Sequence, residues 1–293
     1  MRKTTLFKKY INDPQILVLP SVHDPLCAKI AEKVGFKAIL TAGYANSAAL
    51  LGKPDVELLT LTEMVDAAWR IVDAVDIPVF ADGDTGHGNV TNVIRTVQQF
   101  EKAGVAGIFI EDQVSPKRCG HMEGKKVIPT EEFLAKIRAA LDTRKDKDFV
   151  IMARTDALAV NGIDDAIERV NLCREEGADL LFVEAPRSID DLKRIPKAVK
   201  GPTVFNAIEG GKTPIFSAKK LQAMGFAVAF YPVANTYVIA KAVTEMYKEL
   251  FSKGELVNTR KNMIEFDEFN DLVGLSEIRA TETKYYKKIA KKK

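Results

Sequence analysis

The chain has no long hydrophobic run and few cysteines, and these absences exclude several classes of protein. None of its apolar segments approaches the roughly 18 residues that a membrane-spanning helix needs. The first residues carry charge but lack an apolar segment with a small-residue cleavage site, so we expect no secretory signal. Three cysteines in 293 residues are too few for a disulfide framework. We therefore expect a cytoplasmic protein with no membrane partner, in a reducing compartment.

An excess of one charge sign is also lacking over most of the chain. Lys and Arg number 43 and Asp and Glu number 40, which gives a formal net charge of +3. Five lysines lie within residues 287–293, and the chain without them has a net charge of −2. This balance does not provide the basic surface that nucleic-acid-binding proteins present. We expect no nucleic-acid partner, and we interpret the lysine-rich end as a solvated terminus.

What the sequence does contain is a repeated alternation of short apolar runs and segments with helical spacing. The apolar runs are continuous, as expected for strands buried on both faces. Eight occur, at 15–22, 38–41, 77–81, 107–110, 149–153, 180–183, 202–205 and 227–231. The clearest helical segments are 62–75, 90–103, 130–141, 163–176, 190–199 and 217–224, with capping residues predicted at Thr62, Thr130 and Ser217.

Eight strand–helix units in about 230 residues predict an α/β fold, a (β/α)₈ barrel of parallel strands. A doubly wound open sheet is the alternative, but no G-x-G-x-x-G or Walker sequence follows any predicted strand. We expect a single barrel domain over residues 1–293 with a C-terminal helical extension from about 252. The apolar residues of this extension would cover its own barrel or a neighbouring subunit.

Polar side chains follow almost every predicted strand, where (β/α)₈ barrels place their chemistry. Asp82, Asp84 and Glu111, with Asp55 in a preceding loop, form an all-oxygen set that favours Mg²⁺ or Mn²⁺ over zinc. Other strand-end groups have separate predicted uses. Arg154 suits a carboxylate or phosphate of a ligand, Gly43 lets backbone amides approach an anion, and Glu184 and Asn206 close two later strands.

Cys119 lies in a polar loop after the fourth predicted strand. Lys117, Arg118 and His121 are close to it in sequence. Such neighbours predict a thiol with a labile proton, suited to nucleophilic or acid–base catalysis. Cys27 and Cys173 have apolar neighbours on helical segments, so we interpret both as packing residues.

The loop around Cys119 also carries a family resemblance. Residues 109–121, FIEDQVSPKRCGH, closely resemble the signature loop of the isocitrate lyase and phosphoenolpyruvate mutase superfamily. Residues 150–158 (VIMARTDAL), residues 82–84 (DGD) and residues 51–55 (LGKPD) are similar to it as well, and the resemblance extends from about residue 10 to about residue 275. The KRCGH stretch resembles the carbon–carbon lyases, because the mutase, phosphonopyruvate hydrolase and oxaloacetate decarboxylase branches generally lack the cysteine.

The resemblance implies a (β/α)₈ barrel, a bound Mg²⁺ and a homotetramer in which paired subunits exchange a helix. It implies that Asp82 holds the metal, with Asp55, Asp84 and Glu111 binding directly or through water. It places Gly43, the amide of Tyr44 and Arg154 on the substrate α-carboxylate, with Ala42 where serine is usual. Cys119 would be the acid–base group, flanked by Gly120 and His121, and Glu184 and Asn206 would line the second half of the substrate. The general base stays open between Lys117, Glu111 through water, and Tyr44.

Departures from the superfamily pattern indicate the substrate. Methylisocitrate lyases carry arginines where this chain has Tyr237 and Phe266, and a tricarboxylate needs such cations because an unpaired buried carboxylate is costly. Residues 206–211 read NAIEGG where those enzymes read NITEFG. We expect an oxo-acid-lyase that cleaves a malate of the 2,3-dimethylmalate type to pyruvate and propanoate. The alternatives are 2-methylisocitrate cleavage, phosphonopyruvate-type mutase or hydrolase chemistry, and a non-catalytic barrel that binds polyanions.

Overall fold

The computed structural model describes residues 1–290, without the side chains of 288–290, so most of the lysine-rich end lies outside the described residues. Eight short strands alternate with helices along the chain. The strands are β1 (Leu17–Pro20), β2 (Ile39–Thr41), β3 (Val79–Asp82), β4 (Gly107–Glu111), β5 (Val150–Thr155), β6 (Leu180–Val183), β7 (Val204–Asn206) and β8 (Val228–Tyr231). The helices are α1 (Lys3–Ile11), α2 (Pro25–Val34), α3 (Gly43–Leu51), α4 (Leu61–Ala74), α5 (Val90–Ala103), α6 (Thr130–Thr143), α7 (Ile163–Glu176), α8 (Ile189–Ala198), α9 (Ala218–Met224), α10 (Ala234–Lys253), α11 (Phe266–Leu272) and α12 (Leu275–Ala290).

The strands are all parallel and close into a barrel. Hydrogen bonds join β2, β3, β4, β5 and β6 in that order, and separately β1, β8 and β7. Parallel bridges between Ser21 and Leu40 and between Leu181 and Thr203 join the two groups. The predicted (β/α)₈ barrel is confirmed, and the open sheet is wrong because β1 meets β2 and β6 meets β7.

Aromatic rings fill the barrel interior. Phe80 of β3 stacks on Phe7 of α1 with ring centroids 5.0 Å apart, and its centroid lies 6.2 Å from that of Phe109 and 6.1 Å from that of Phe230. These side chains belong to a core distinct from the one between the strands and the outer helices. The barrel is therefore packed rather than open, and polar groups concentrate beyond the strand ends.

Two of the three predicted helix caps are displaced by short distances. Thr60 rather than Thr62 caps α4, in a reciprocal arrangement with Glu63 that satisfies two backbone N–H groups. Thr130 is the first residue of α6 and follows Pro129, whose side chain offers no cap. Ser217 caps α9 as predicted.

Residues from Tyr237 onward form a second compact unit, distinct from the unit Met1–Thr236. The predicted extension, about 252–293, falls within this second unit. Helix α10 has no buried residue along its length, and α11 and α12 contact each other. In the described residues, no helix combines the length and apolar character that crossing a bilayer requires.

Candidate active site

Five of the predicted residues lie at the carboxyl ends of neighbouring strands. Asp82 ends β3, Glu111 ends β4 and Asn206 ends β7. Arg154 pairs with Glu111 in the β4–β5 register, and Glu184 directly follows β6. All five side chains are buried. The parallel strands therefore place these groups at one end of the barrel.

Arg154 connects several of these groups through its guanidinium. It contacts Glu111 at 3.0 Å, Asp156 at 3.0 Å and Glu184 at 3.2 Å. The ring of Phe182 lies 5.4 Å from the guanidinium carbon. The ion pairs that the sequence offered for Arg154, with Glu184 or Asp156, are thus both present. A guanidinium fixed in this way is pre-organised to bind a carboxylate.

The predicted metal-binding carboxylates lie around Lys117. The Lys117 ammonium group is 2.7 Å from Asp55 and 2.9 Å from Asp84. One oxygen of Asp82 accepts a hydrogen bond from the backbone of Gly43 and the other from the backbone of Asp84, each at 2.9 Å. Burial of the Lys117 ammonium opposes its charge, but Asp84 and Asp55 outweigh burial and raise the pKa of Lys117 well above its ordinary value.

The electrostatics of this cluster fit a bound cation. Burial raises the pKa of Asp82 to about 7, and the nearby Asp84 carboxylate adds to the rise. Burial likewise raises the pKa of Glu111 well above its usual value, although Arg154 opposes the change. Asp84 Oδ1 and Glu111 Oε2 are buried without a hydrogen-bond donor of good geometry. A divalent cation would stabilise the carboxylates of Asp55, Asp82, Asp84 and Glu111, whose charge Lys117 and Arg154 partly offset, and carboxylate oxygens suit Mg²⁺.

The spacing of the carboxylates favours an ion held partly through water. A compact metal site would have at least three ligand atoms close together. Among the described residues, His23, Asp24 and Cys27 meet this condition, with ligand atoms within 4.8 Å of one another, and they lie outside the carboxylate cluster. The carboxylates of the cluster are more widely spaced. Mg²⁺ commonly keeps several waters and uses one or two carboxylates, so this spacing is compatible with it.

The group of His23, Asp24 and Cys27 has a structural explanation. Asp24 caps α2 by accepting a hydrogen bond from the Cys27 backbone at 2.7 Å. The Asn235 amide nitrogen lies 3.3 Å from His23 Nδ1 and donates to it. In this arrangement the ring proton is on His23 Nε2, which faces Asp24. A metal-binding histidine instead donates its other N–H to an oxygen. These contacts give Asp24 a capping role and leave His23 Nε2 without a lone pair for a metal.

Helix α3 begins at the predicted carboxylate-binding residues. Ala42 precedes the helix, Gly43 is its first residue and Tyr44 its second. The Gly43 N–H is donated to Asp82, and a Cβ at Gly43 would lie 2.9 Å from the same oxygen. Gly43 therefore lets the chain approach Asp82 closely. The first-turn N–H groups of a helix attract anions, which keeps the Tyr44 amide as the predicted substrate contact.

The cysteine loop, residues 117–125, lies against Arg154 and Glu184. The Cys119 backbone donates to the Asp55 carbonyl at 3.2 Å. A Cβ at Gly120 would lie 2.4 Å from Glu184 Cγ and 2.5 Å from an Arg154 nitrogen. Only glycine permits this approach, so the loop brings Cys119 close to the groups at the strand ends.

Hydrogen bonds on both ring nitrogens orient His121 in this loop. Its Nδ1 accepts a hydrogen bond from the Lys212 backbone at 3.0 Å. Its Nε2 therefore carries the proton and donates it to Glu184 Oε1 at 3.1 Å. Burial opposes the charge of Glu184, but Arg154 and His121 outweigh burial and lower the pKa of Glu184 to about 2.

The predicted lowering of the Cys119 pKa is wrong. Burial raises the pKa of Cys119 to about 11, despite a hydrogen bond from the backbone of His121 that lowers it. The basic residues near it in sequence have other partners: Lys117 binds the carboxylates, and Arg118 donates to the Glu123 carbonyl. Cys119 is therefore a neutral thiol at neutral pH, suited to donating a proton.

Comparisons with known proteins agree with this geometry. A family model described as phosphoenolpyruvate phosphomutase matches residues 7–251. The chain belongs to the phosphoenolpyruvate mutase and isocitrate lyase superfamily. It is 45% identical over 285 residues to the 2,3-dimethylmalate lyase of Eubacterium barkeri, covering 97% of this chain and 99% of the relative.

Two further comparisons show the range of chemistry in the superfamily. The chain is 46% identical over 288 residues to the chloroplastic carboxyvinyl-carboxyphosphonate phosphorylmutase of Arabidopsis thaliana, covering 97% of this chain and 85% of the relative. A crystal structure of 2,3-dimethylmalate lyase matches with a TM-score of 0.90 and 32% identity, covering 97% of this chain and 96% of that one. Overall similarity therefore does not separate lyases from mutases, and individual site residues must do so.

The structure of this superfamily member also shows residues that sequence reasoning missed. Glu57 accepts hydrogen bonds from the Lys117 backbone at 2.6 Å and from the Ser115 hydroxyl at 2.8 Å, which anchors the cysteine loop. The backbone of Glu57 has a φ of 61°, which is rare for a residue other than glycine. Backbone strain of this type is common at functional sites. Its position two residues after Asp55 is the only sequence signal. Tyr237, the remaining predicted substrate contact, is the first residue of the second unit.

Proposed function

We propose that this protein is a Mg²⁺-dependent carbon–carbon lyase that cleaves a malate of the 2,3-dimethylmalate type to pyruvate and propanoate. The observation that carries the proposal is the neutral thiol of Cys119 on a loop packed against Arg154 and Glu184. A proton donor placed there suits the carbanion left by carbon–carbon cleavage. Transfer of a phosphoryl group has no need of this donor.

The proposed reaction uses the two sides of the site differently. Arg154 and the amide of Tyr44 bind and orient the substrate α-carboxylate. Asp82, with Asp55, Asp84 and Glu111, would hold Mg²⁺ directly or through water, and its charge would make the 2-hydroxyl of the substrate more acidic. A base takes the hydroxyl proton, the C2–C3 bond breaks, and Cys119 protonates the released propanoate carbanion. Lys117 is a poor candidate for the base because the carboxylates keep it charged, which leaves Glu111 through water and Tyr44.

The proposed substrate has two carboxylates rather than three because the buried lysines near the carboxylate cluster and in the cysteine loop are already paired. Lys117 contacts Asp55 and Asp84, and Lys125 contacts Asp156, while Arg154 is assigned to the α-carboxylate. A third substrate carboxylate would require another cation or a large desolvation cost. The aromatic residues Tyr237 and Phe266, in place of arginines, support the same proposal.

We expect at least about tenfold higher kcat/KM for 2,3-dimethylmalate than for 2-methylisocitrate, since a site without a partner for a carboxylate discriminates against it. The measurement is pyruvate release with Mg²⁺, coupled to NADH oxidation by lactate dehydrogenase, with both substrates at equal concentration. Faster turnover of 2-methylisocitrate would refute the specificity and leave the lyase reaction. Consumption of phosphonopyruvate alone would refute the lyase function.

The second unit supports a proposed homotetramer of helix-exchanged dimers. Helix α10 has no buried residue, and Phe251 is 95% exposed and Val238 67% exposed. A helix that exposes several large apolar side chains is usually covered by a partner. We expect light scattering to give four times the chain mass of 32.4 kDa, and the substitution Phe251→Asp to lower the measured mass. A monomeric wild-type protein at micromolar concentration would contradict this proposal.

A further inference from the structure

Lys125 is a buried lysine whose ammonium group has two partners, one within the cysteine loop and one on the barrel. Its Nζ donates to the carbonyl oxygen of Gly120 at 2.5 Å and to Asp156 Oδ1 at 2.7 Å. The Lys125 side chain is 2% exposed and that of Asp156 is fully buried. A buried lysine is costly unless its charge is paired; Asp156 provides the charge and the Gly120 carbonyl accepts a second hydrogen bond.

The two contacts of Lys125 join the cysteine loop to Arg154. Asp156 Oδ2 accepts a hydrogen bond from Arg154 Nε at 3.0 Å, so the same carboxylate holds the lysine and the arginine. Lys125 binds the carbonyl of Gly120, the residue after Cys119. Gly120 also lies against Arg154. Fixing this carbonyl limits the backbone rotation that would carry the Cys119 thiol away from the strand ends.

Asp156 is itself held rigidly. Its backbone donates to Asp112 Oδ1 at 2.8 Å, and Asp112 Oδ2 accepts from the Thr155 hydroxyl at 2.6 Å and from Arg169 at 3.3 Å. Asp112 and Thr155 are fully buried. The anchor for Lys125 is therefore part of the barrel wall rather than a mobile surface group.

We infer that Lys125 is a positioning residue that holds the Cys119–Gly120 segment in place and ties it to Arg154 through Asp156. Lys125 does not touch the reacting atoms. It sets the position of the thiol that donates the proton, and it acts only when both acceptors are in reach. The catalytic consequence rests on the proposed lyase function, whereas the structural consequence for Cys119 does not.

The test compares Lys125→Met with Lys126→Met, which removes the same charge from the exposed neighbouring side chain. The first readout is alkylation of Cys119 by a short pulse of iodoacetamide, followed by peptide mass spectrometry. Cys27 and Cys173 serve as internal controls in the same chain. We expect Lys125→Met to raise the Cys119 labelling rate at least about tenfold, because the loop then opens locally, with no change at Cys27 or Cys173.

The second readout is turnover of 2,3-dimethylmalate. A displacement of about 1 Å in a reacting group can cost about 10²-fold, so we expect Lys125→Met to lower kcat by about that factor with KM nearly unchanged. Lys126→Met should match the wild type in both readouts. Lys125→Gln keeps a donor for Asp156 but is too short to reach both acceptors, so it should change both readouts in the same direction and serves if the methionine variant does not fold.

Wild-type labelling of Cys119 in a folded Lys125→Met or Lys125→Gln protein would overturn the inference. So would equal effects of the Lys125 and Lys126 substitutions. If the wild type does not turn over 2,3-dimethylmalate, the proposed function fails, and the labelling experiment still decides the role of Lys125.

Discussion

Replacing Cys119 by serine is expected to lower kcat by at least about 10³-fold, within the range that a positioned proton donor contributes. The hydroxyl occupies a similar volume but is a much weaker acid than the thiol, whose pKa of about 11 is already raised by burial. The backbone contact of residue 119 with Asp55 does not depend on the side chain. The fold and Mg²⁺ binding should therefore be unchanged.

The Cys119 prediction has a matched control. Cys27 is also a partly buried cysteine with a raised pKa, of about 12, but it lies on α2 beside the Asp24 cap. Cys27→Ser should leave turnover of 2,3-dimethylmalate near the wild-type rate. Initial rates of pyruvate formation at saturating substrate give the comparison. Substantial activity in a folded Cys119→Ser protein would remove the thiol from the mechanism.

Replacing Asp82 by asparagine is expected to abolish Mg²⁺-dependent turnover, with a loss of at least about 10³-fold. Metal catalysis contributes several kcal/mol, and each 1.36 kcal/mol corresponds to a factor of ten in rate. Asparagine keeps the shape of the side chain, but its one acceptor oxygen can serve only one of the two backbone N–H groups, of Gly43 and of Asp84, that Asp82 accepts. The variant therefore loses the charge and one buried hydrogen bond, and circular dichroism checks that it folds.

The Asp82 prediction is checked by titrating initial rate against Mg²⁺ and by measuring Mn²⁺ binding by electron paramagnetic resonance. Asp73→Asn, on the exposed face of α4, removes the same charge and should leave both curves unchanged. Wild-type activation by Mg²⁺ in the Asp82→Asn protein would show that the ion binds elsewhere.

The strands were predictable because barrel strands are buried on both faces and therefore appear as continuous apolar runs in the sequence. All eight apolar runs contain or overlap the observed strands, since residues such as Val79, Phe80 and Ala81 are buried on both faces. Helix α3 was not predicted, because it begins at Gly43 and its small residues do not give the spacing of an amphipathic helix. Closure between β1 and β2 rests on a single bridge, which no local pattern encodes.

The sequence predicted which residues form the site, but it did not predict their protonation states. Residues at strand ends, such as Asp82, Glu111 and Arg154, come together because parallel strands end at one mouth. The protonation state of Cys119 was not predictable, because closeness in sequence does not tell which way a side chain turns. Lys117 turns to the carboxylates of Asp55 and Asp84, which both lie more than 30 residues before it in sequence. Lys125 gave no signal either, since its partner Asp156 directly follows β5, 31 residues later in the sequence.

The most direct test of the proposed lyase function is proton NMR of the reaction in D₂O with the wild-type protein, Mg²⁺ and 2,3-dimethylmalate. Carbon–carbon cleavage followed by protonation from an exchanged Cys119 thiol predicts equal amounts of pyruvate and propanoate, with one deuterium at C2 of propanoate. Unchanged 2,3-dimethylmalate, in a preparation that instead consumes phosphonopyruvate with Mg²⁺, would contradict it.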